Sequence, residues 1–182
     1  MPKAPSTKKN YTLEDLKRLP EGTRAELLNG RMYEIAEPNR RHQELMAAFF
    51  KAVWECVRNQ RGFCKPFMAP FSVFLNGDSQ NYVEPDISVI CNPWKLTDQG
   101  CIGAPDWIVE IASLESRDLD HGRKRVKYQK AGVREYWVVD EESGQVRVYN
   151  FREGTVSDYD RSDEIPVGIC PGSSIRVPEE EQ

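Results

Sequence analysis

The sequence predicts an α/β (α+β) domain in which parallel and antiparallel strands share sheets and pack against helices. Three observations predict it. Residues 105–140, PDWIVEIASLESRDLDHGRKRVKYQKAGVREYWVVD, read as an apolar strand, a basic helix and a second apolar strand, a unit that sets two strands side by side with the helix across one face. Asn29-Gly30 stands between two apolar runs, the strongest short-range hairpin signal in the chain. From Arg40 to Arg58 the apolar residues Leu45, Met46, Phe49, Phe50, Val53, Trp54 and Val57 fall at helical three-and-four spacing, which marks a core helix with Gly62 just past its end.

Taken in order, residues 1–10 are polar and basic and read as a disordered lead to a single domain over 11–178. Thr12 with Asp15 three positions on resembles a capping box for a short helix over Leu13, Leu16 and Leu19, stopped by Pro20. The hairpin and the core helix follow. Phe67–Leu75 is expected as one strand, turning through Asn76-Gly77-Asp78 into a second over Tyr82–Ile90 that carries Asp86. A loop from Cys91 to Ala104 leads to the strand Trp107–Ile111, and Trp94 within it reads equally as an exposed contact or as packed beneath the loop. The helix that follows ends at Gly132, the strand Glu135–Val139 comes next, and Glu141–Gly144 returns the chain into Gln145–Phe151. Beyond Gly154, Val156, Tyr159, Ile165 and Val167 suggest short edge pieces limited by Pro166, Pro171 and Pro178, and 179–182 form an acidic tail.

At 182 residues, 39% hydrophobic and 30% charged, the composition is that of an ordinary soluble domain. No apolar run is long enough to span a bilayer, and MPKAPSTKKN has no apolar segment behind its charges, so export is not expected and a cytoplasmic location is. Five widely spaced cysteines, Cys56, Cys64, Cys91, Cys101 and Cys170, without a CxxC pair, read as reduced thiols. A net charge of -4 argues against nucleic-acid binding taken alone, but residues 117–134 carry a local sum of +5, and phosphate contacts depend on local field.

Glu110 is the anomaly. It alternates with Ile108 and Ala112 on one face of a strand expected to be covered on both sides, where a charge is costly unless paired or coordinating. Asp86 lies on the strand before the connecting loop, so the two carboxylates can face each other at one sheet edge. At ~4 Å two such charges repel by about 4 kcal/mol at an effective dielectric near 20, enough to drive proton uptake or capture of a cation. Carboxylate oxygens favour Mg²⁺ or Mn²⁺. A lysine beside that pair is what phosphodiester hydrolysis needs, and Lys124, four residues after Asp120 on one helical face, is the candidate. The plain alternatives are that Asp86 ends a strand, Glu110 pairs with an arginine and the basic helix is a solvated face.

The order PD, then PDWIVEIAS, then a turn with Asp120 and Lys124, then Tyr128, then AGVREYWVVD, resembles the Uma-two family of restriction-endonuclease type, a branch of the PD-(D/E)XK nuclease superfamily. ELLNGRMYEI and His42-Gln43 extend the resemblance to about Tyr11–Tyr149. It implies a restriction-endonuclease-like fold, a mixed β-sheet flanked by helices, and Mg²⁺-dependent hydrolysis of DNA. By matching positions, Asp86 and Glu110 are metal ligands, the Ile111 backbone carbonyl completes the shell, and Lys124 stands in for the superfamily lysine two residues after the acid, a position that here is Ala112. Glu26, His42 and Asp120 are accessory, with His42 either a helix-start partner or a catalytic group. Leu114 stands where the family tends to have Pro.

The leading expectation is therefore a metal-dependent DNA endonuclease with Asp86, Glu110 and Lys124 as catalytic residues. Arg117, Arg123, Arg125, Lys127 and Lys130 contact the nucleic acid, and a homodimer is expected because cutting two strands asks for two sites. Neither an organic cofactor nor a membrane is expected. The alternatives are a decayed nuclease fold that only binds nucleic acid or a protein, favoured by Ala112 and the acidic total, and, more remotely, a paired-carboxylate glycoside hydrolase.

Overall fold

The computed structural model describes residues 10–60 and 62–177; the acidic tail and all of the predicted lead except Asn10 lie outside them. Asn10 donates its backbone N–H to the Gly30 carbonyl at 3.1 Å. The helix α1 (Leu13–Leu16) has the expected cap, with the Thr12 N–H donating to the Asp15 carboxylate at 2.9 Å. Strands β1 (Ala25–Leu28) and β2 (Arg31–Glu34) form the predicted hairpin, whose turn residues Asn29 and Gly30 take φ of 53° and 70° as a tight right-twisted turn requires. The core helix α2 (Arg40–Asn59) buries Leu45, Met46, Phe49, Val53, Cys56 and Val57, whereas Trp54, predicted on that face, is 48% exposed. Gly62 is not its left-handed stop, because the helix has already ended at Gln60 in extended backbone.

Two predicted strands are each broken in two. Phe67–Leu75 divides into β3 (Lys65–Met68) and β4 (Val73–Phe74) around a cis Ala69-Pro70 bond, and Tyr82–Ile90 into β5 (Tyr82–Val83) and β6 (Ile87–Ile90) around Glu84-Pro85-Asp86. At both breaks a proline removes a ladder donor and the chain crosses from one sheet to another. Then come β7 (Leu96–Thr97), β8 (Gly100–Ile102), β9 (Trp107–Ala112), a π-helical turn Leu119–Lys124 running into α3 (Arg125–Ala131), and β10 (Glu135–Asp140). Gly132 closes α3 with φ of 96°. The chain finishes with β11 (Val146–Asn150), β12 (Thr155–Tyr159), β13 (Glu164–Pro166) and β14 (Ser174–Arg176).

The order β12-β11-β10-β9-β6-β3 makes one six-stranded mixed sheet, with β9 and β10 parallel as the strand-helix-strand pattern predicts. A second six-stranded sheet runs β2-β1-β5-β4-β8-β7. One face of the β9 sheet packs Trp107, Val109, Ile111, Trp137 and Val139 against α2. The other packs Ile108, Ala112, Tyr136 and Val138 against Tyr128 of α3 and against Leu28, Val73 and Val83 of the second sheet. Trp107 and Trp137 are fully buried with ring centroids 4.9 Å apart; at ~25 cal/mol per Å², each such side chain stabilises the core by several kcal/mol. The last hairpin, β13–β14, is more than an edge piece, since Ile165, Val167, Ile175 and Val177 insert into the α2 face.

Cys64 and Cys91, expected as reduced thiols, form a disulfide. They immediately flank the paired strands β3 and β6, where Lys65 sits opposite Ile90, so continuing that antiparallel register brings them side by side. Sequence spacing does not carry this proximity, which arises only when the strands pair. Cys56, Cys101 and Cys170 are buried free thiols.

Candidate active site

Strand register assembles the acidic pair. In the antiparallel pairing of β6 with β9, Ile87 faces Val109 and Ser88 faces Ile108, so Asp86, one step before β6, falls opposite Glu110. The Asp86 N–H points to Glu110 Oε2 at 3.4 Å, and the Ile111 N–H donates to Asp86 Oδ2 at 2.7 Å. Asp86 retains 16% side-chain exposure, while Glu110 is buried, as the alternation of β9 requires.

The lysine reaches this pair from the opposite side. The π-helical turn, in which the Arg125 N–H donates to the Asp120 carbonyl, turns Asp120 and Lys124 inward together. Lys124 Nζ stands 2.9 Å from Glu26 Oε2, 3.0 Å from Glu110 Oε1 and 3.5 Å from Asp120 Oδ1. Glu26 comes from β1 and also accepts the Glu84 N–H at 3.1 Å. From α2, His42 bonds Asp86 Oδ1 through Nε2 at 3.1 Å, while its backbone N–H donates to the Asn39 cap at 2.8 Å. Its imidazole therefore touches the acid and its backbone serves the helix start.

Burial dominates the electrostatics. It raises the Glu110 carboxyl well above its ordinary range even though the Lys124 ammonium opposes it. It likewise raises Asp120 to about 6 against the opposing pull of Lys124 and of a Ser116 hydrogen bond. For Lys124 burial acts downward, but Glu110, Glu26 and Asp120 outweigh it and hold the ammonium well above the lysine range. Burial pulls His42 down more than any one neighbour raises it, but the Asp86 hydrogen bond and the negative charges of Asp86, Glu141 and Asp120 together leave it raised.

Tyr128 belongs to the same constellation. Its hydroxyl donates to Glu110 Oε1 at 2.7 Å from a fully buried position. Spacing carried a signal for it, because Tyr128 lies four residues after Lys124 and so on the same helical face. Glu26, His42, Asp86, Glu110, Asp120 and Lys124 line a cleft of about 980 Å³, with Tyr128 buried behind them and Leu114 exposed at its rim. Of the five basic residues expected at nucleic acid, Arg123 lines this cleft. Arg117 pairs with Asp140, Arg125 lies over the Tyr149 ring at 5.8 Å, Lys127 Nζ bonds Asn29 at 2.9 Å, and Lys130 is exposed. Among the described residues, no three Asp, Glu, His or Cys side chains converge as a ready-made metal cage. No helix there is long and apolar enough to cross a membrane.

A family model described as "Putative restriction endonuclease", Uma2, matches residues 13–174, nearly the whole described chain. The chain belongs to the Uma2 family. Its α+β fold is similar to the crystal structure of a putative nuclease belonging to DUF820 from Anabaena variabilis ATCC 29413. That match has a TM-score of 0.73 and 22% identity, over 92% of this chain and 95% of that one. No curated protein matches. At family level the Uma2 reading is a nuclease.

Proposed function

We propose that this Uma2 chain is a metal-dependent DNA endonuclease hydrolysing phosphodiester bonds. The observation that carries the reading is the meeting of Asp86, Glu110 and Lys124 in one cleft, with the ammonium 3.0 Å from the Glu110 carboxylate although position 112 is alanine. Asp86 and Glu110, with the Ile111 carbonyl, suit a hard divalent ion that keeps several of its waters and needs few protein ligands. The surplus of carboxylates over cations around them fits such an ion: Glu26, Glu110 and Asp120 share the single ammonium of Lys124, and Asp86 lies beside Glu110. Mg²⁺ or Mn²⁺ bound there supplies charge that polarises a phosphoryl oxygen and acidifies water. Lys124 stabilises negative charge on the phosphoryl group in the transition state, Tyr128 and Lys124 fix the Glu110 carboxylate, and His42 and the Ile111 N–H fix Asp86.

Arg123 contacts the phosphate backbone at the cleft in this reading, with Arg125 and exposed Lys130 farther along the segment; Arg117 and Lys127, expected there too, are instead held by Asp140 and Asn29. A homodimer supplies the second site for the second strand. The test is Mg²⁺-dependent nicking of plasmid and oligonucleotide DNA by wild type, Asp86→Ala and Lys124→Ala. Equal residual cleavage in all three removes the assignment.

One observation favours a second reading, a decayed nuclease fold that binds nucleic acid or a partner protein. The cleft is lined by eleven Asp or Glu and four Lys or Arg, of which Arg24 and Lys124 are spent on internal ion pairs. Such a lining repels a polyanion unless cations are bound. Calorimetric titration with Mn²⁺ separates the two readings, because a decayed site takes up no ion through Asp86 and Glu110.

A further inference from the structure

Hydrolysis of a phosphodiester requires a group that accepts a proton from the attacking water. Lys124 is badly placed for it, since its ammonium already donates to Glu110 and lies against Glu26. Both oxygens of Asp86 are engaged, with His42 and with the Ile111 N–H, and Glu110 Oε1 is taken by Lys124 and Tyr128. Asp120 differs. It is 2% exposed, it lines the cleft, and its Oδ1 accepts no hydrogen bond, having only the Lys124 ammonium 3.5 Å away. A buried carboxylate oxygen that accepts no hydrogen bond keeps its acceptor capacity free for a donor that enters the cleft, such as a water.

Resting on the nuclease reading above, we propose that Asp120 is the general base of the reaction, its Oδ1 accepting the proton of the attacking water. Lys124, 3.5 Å from that oxygen, remains a fixed cation. In the step, the water oxygen forms a bond to phosphorus as its proton passes to Asp120 Oδ1. The bond from phosphorus to the leaving oxygen breaks with its electron pair on that oxygen, which takes a proton from solvent. Asp120 then returns its proton to solvent. The products are a phosphate monoester and an alcohol.

The carboxyl's raised position near 6 suits a base working at neutral pH and above. The titratable groups that face it are Lys124 on its own turn, Glu26 from β1, Asp86 and Glu110 from the strand pair, His42 from α2, Tyr128 from α3 and Tyr136 from β10. The Tyr136 hydroxyl donates to the Asp120 backbone carbonyl at 3.2 Å, which anchors the turn without occupying the carboxylate.

The test compares Asp120→Asn and Asp120→Ala with wild type in the full chain. Plasmid nicking with Mg²⁺ is followed from pH 5 to 9, Mn²⁺ binding by calorimetry, and DNA binding in Ca²⁺ by anisotropy. Asparagine keeps the shape of the side chain, so Mn²⁺ and DNA affinities stay within about threefold of wild type. Nicking falls about 10²–10⁴-fold, the acidic limb of the rate profile disappears, and added acetate restores part of the Asp120→Ala rate. Asp120→Asn nicking within threefold of wild type, or with the same acidic limb, overturns the base assignment and leaves the nuclease reading standing. Wild type that binds Mn²⁺ but nicks nothing overturns both. A variant that loses Mn²⁺ affinity along with activity also overturns the base assignment, because Asp120 is then a ligand.

Discussion

Replacing Lys124 with methionine removes one ammonium from among Glu26, Glu110 and Asp120 while keeping a side chain of similar length and an apolar stem. All four residues are at most 6% exposed, so water replaces little of the lost pairing. Removing one partner of a buried ion pair costs about 3–5 kcal/mol, because the remaining charge stays desolvated. Here two contacts lie within 3.0 Å and a third at 3.5 Å, which places Lys124→Met at the upper end of that range at pH 8. The deficit depends on pH with a definite sign. Burial already raises Glu110 and Asp120 against Lys124, and without the ammonium nothing opposes it, so both rise further in the folded state. A carboxyl raised on folding destabilises the charged form; stability is fully present below its unfolded value and is lost as pH rises through the folded one. The variant's deficit is therefore largest at pH 8 and shrinks towards pH 5. Urea unfolding followed by tryptophan fluorescence at the two pH values measures it. A loss below about 1 kcal/mol at pH 8, or one equal at both pH values, refutes the buried-cage account.

Tyr128→Phe deletes the hydroxyl that donates to Glu110 Oε1 at 2.7 Å; a loss of about 1–3 kcal/mol in urea unfolding is expected, and nicking falls through kcat more than through KM. The Cys64–Cys91 disulfide closes a loop of sequence separation 27, which in the chain-entropy model contributes about 3–4 kcal/mol. Cys64→Ser/Cys91→Ser should lose that much, and reductant should then leave its Tm unchanged while lowering that of wild type. His42 should titrate above 6.5 by NMR, because the Asp86 hydrogen bond and the nearby negative charges together outweigh burial, and Asp86→Asn should move it down. Stability from this pair is present below the unfolded value and fades as pH rises through the folded one. An unshifted His42 in Asp86→Asn contradicts the assignment.

Elements whose pattern is local were legible in the sequence. The capping box at Thr12, the Asn29-Gly30 turn, the α2 stripe and the parallel β9 and β10 around α3 all rest on spacing or on one residue's φ preference. Glu110 was legible as a buried acid because strand alternation leaves it nowhere else to point. What stayed hidden depends on pairing between distant segments. The passage of the chain between sheets at Pro70 and Pro85 split two strands that the alternation pattern predicted whole. The Cys64–Cys91 bond and the insertion of β13–β14 into the α2 face required a register that no spacing encodes. Within the basic segment, charge alone did not distinguish Lys124 and Lys127, which turn inward, from Arg123 and Lys130, which stay at the surface.

The displaced lysine follows from the packing around Ala112. In the superfamily pattern that this sequence resembles, a lysine two residues after the acid leaves the strand on the same side as the acid. Here that position is 1% exposed and belongs to the buried cluster of Tyr128, Val133, Tyr136 and Val138, which leaves no open room for a long side chain. Tyr128 and Tyr136 meet edge to face at 5.0 Å within that cluster, and a four-carbon ammonium stem at residue 112 would overpack it. An ammonium can still reach Glu110 only from above the sheet, where α3 lies, and the π-helical turn that starts α3 is what aims Lys124 downward. Tyr128 bears on the substitution twice, since it shares the cluster that encloses Ala112 and also donates to the acid that lysine would have served. It follows that Lys124→Ala should not be rescued by Ala112→Lys in the same chain, and that adding Tyr128→Ala should be needed before any nicking returns. Rescue by Ala112→Lys alone would show that the rings never barred the strand route.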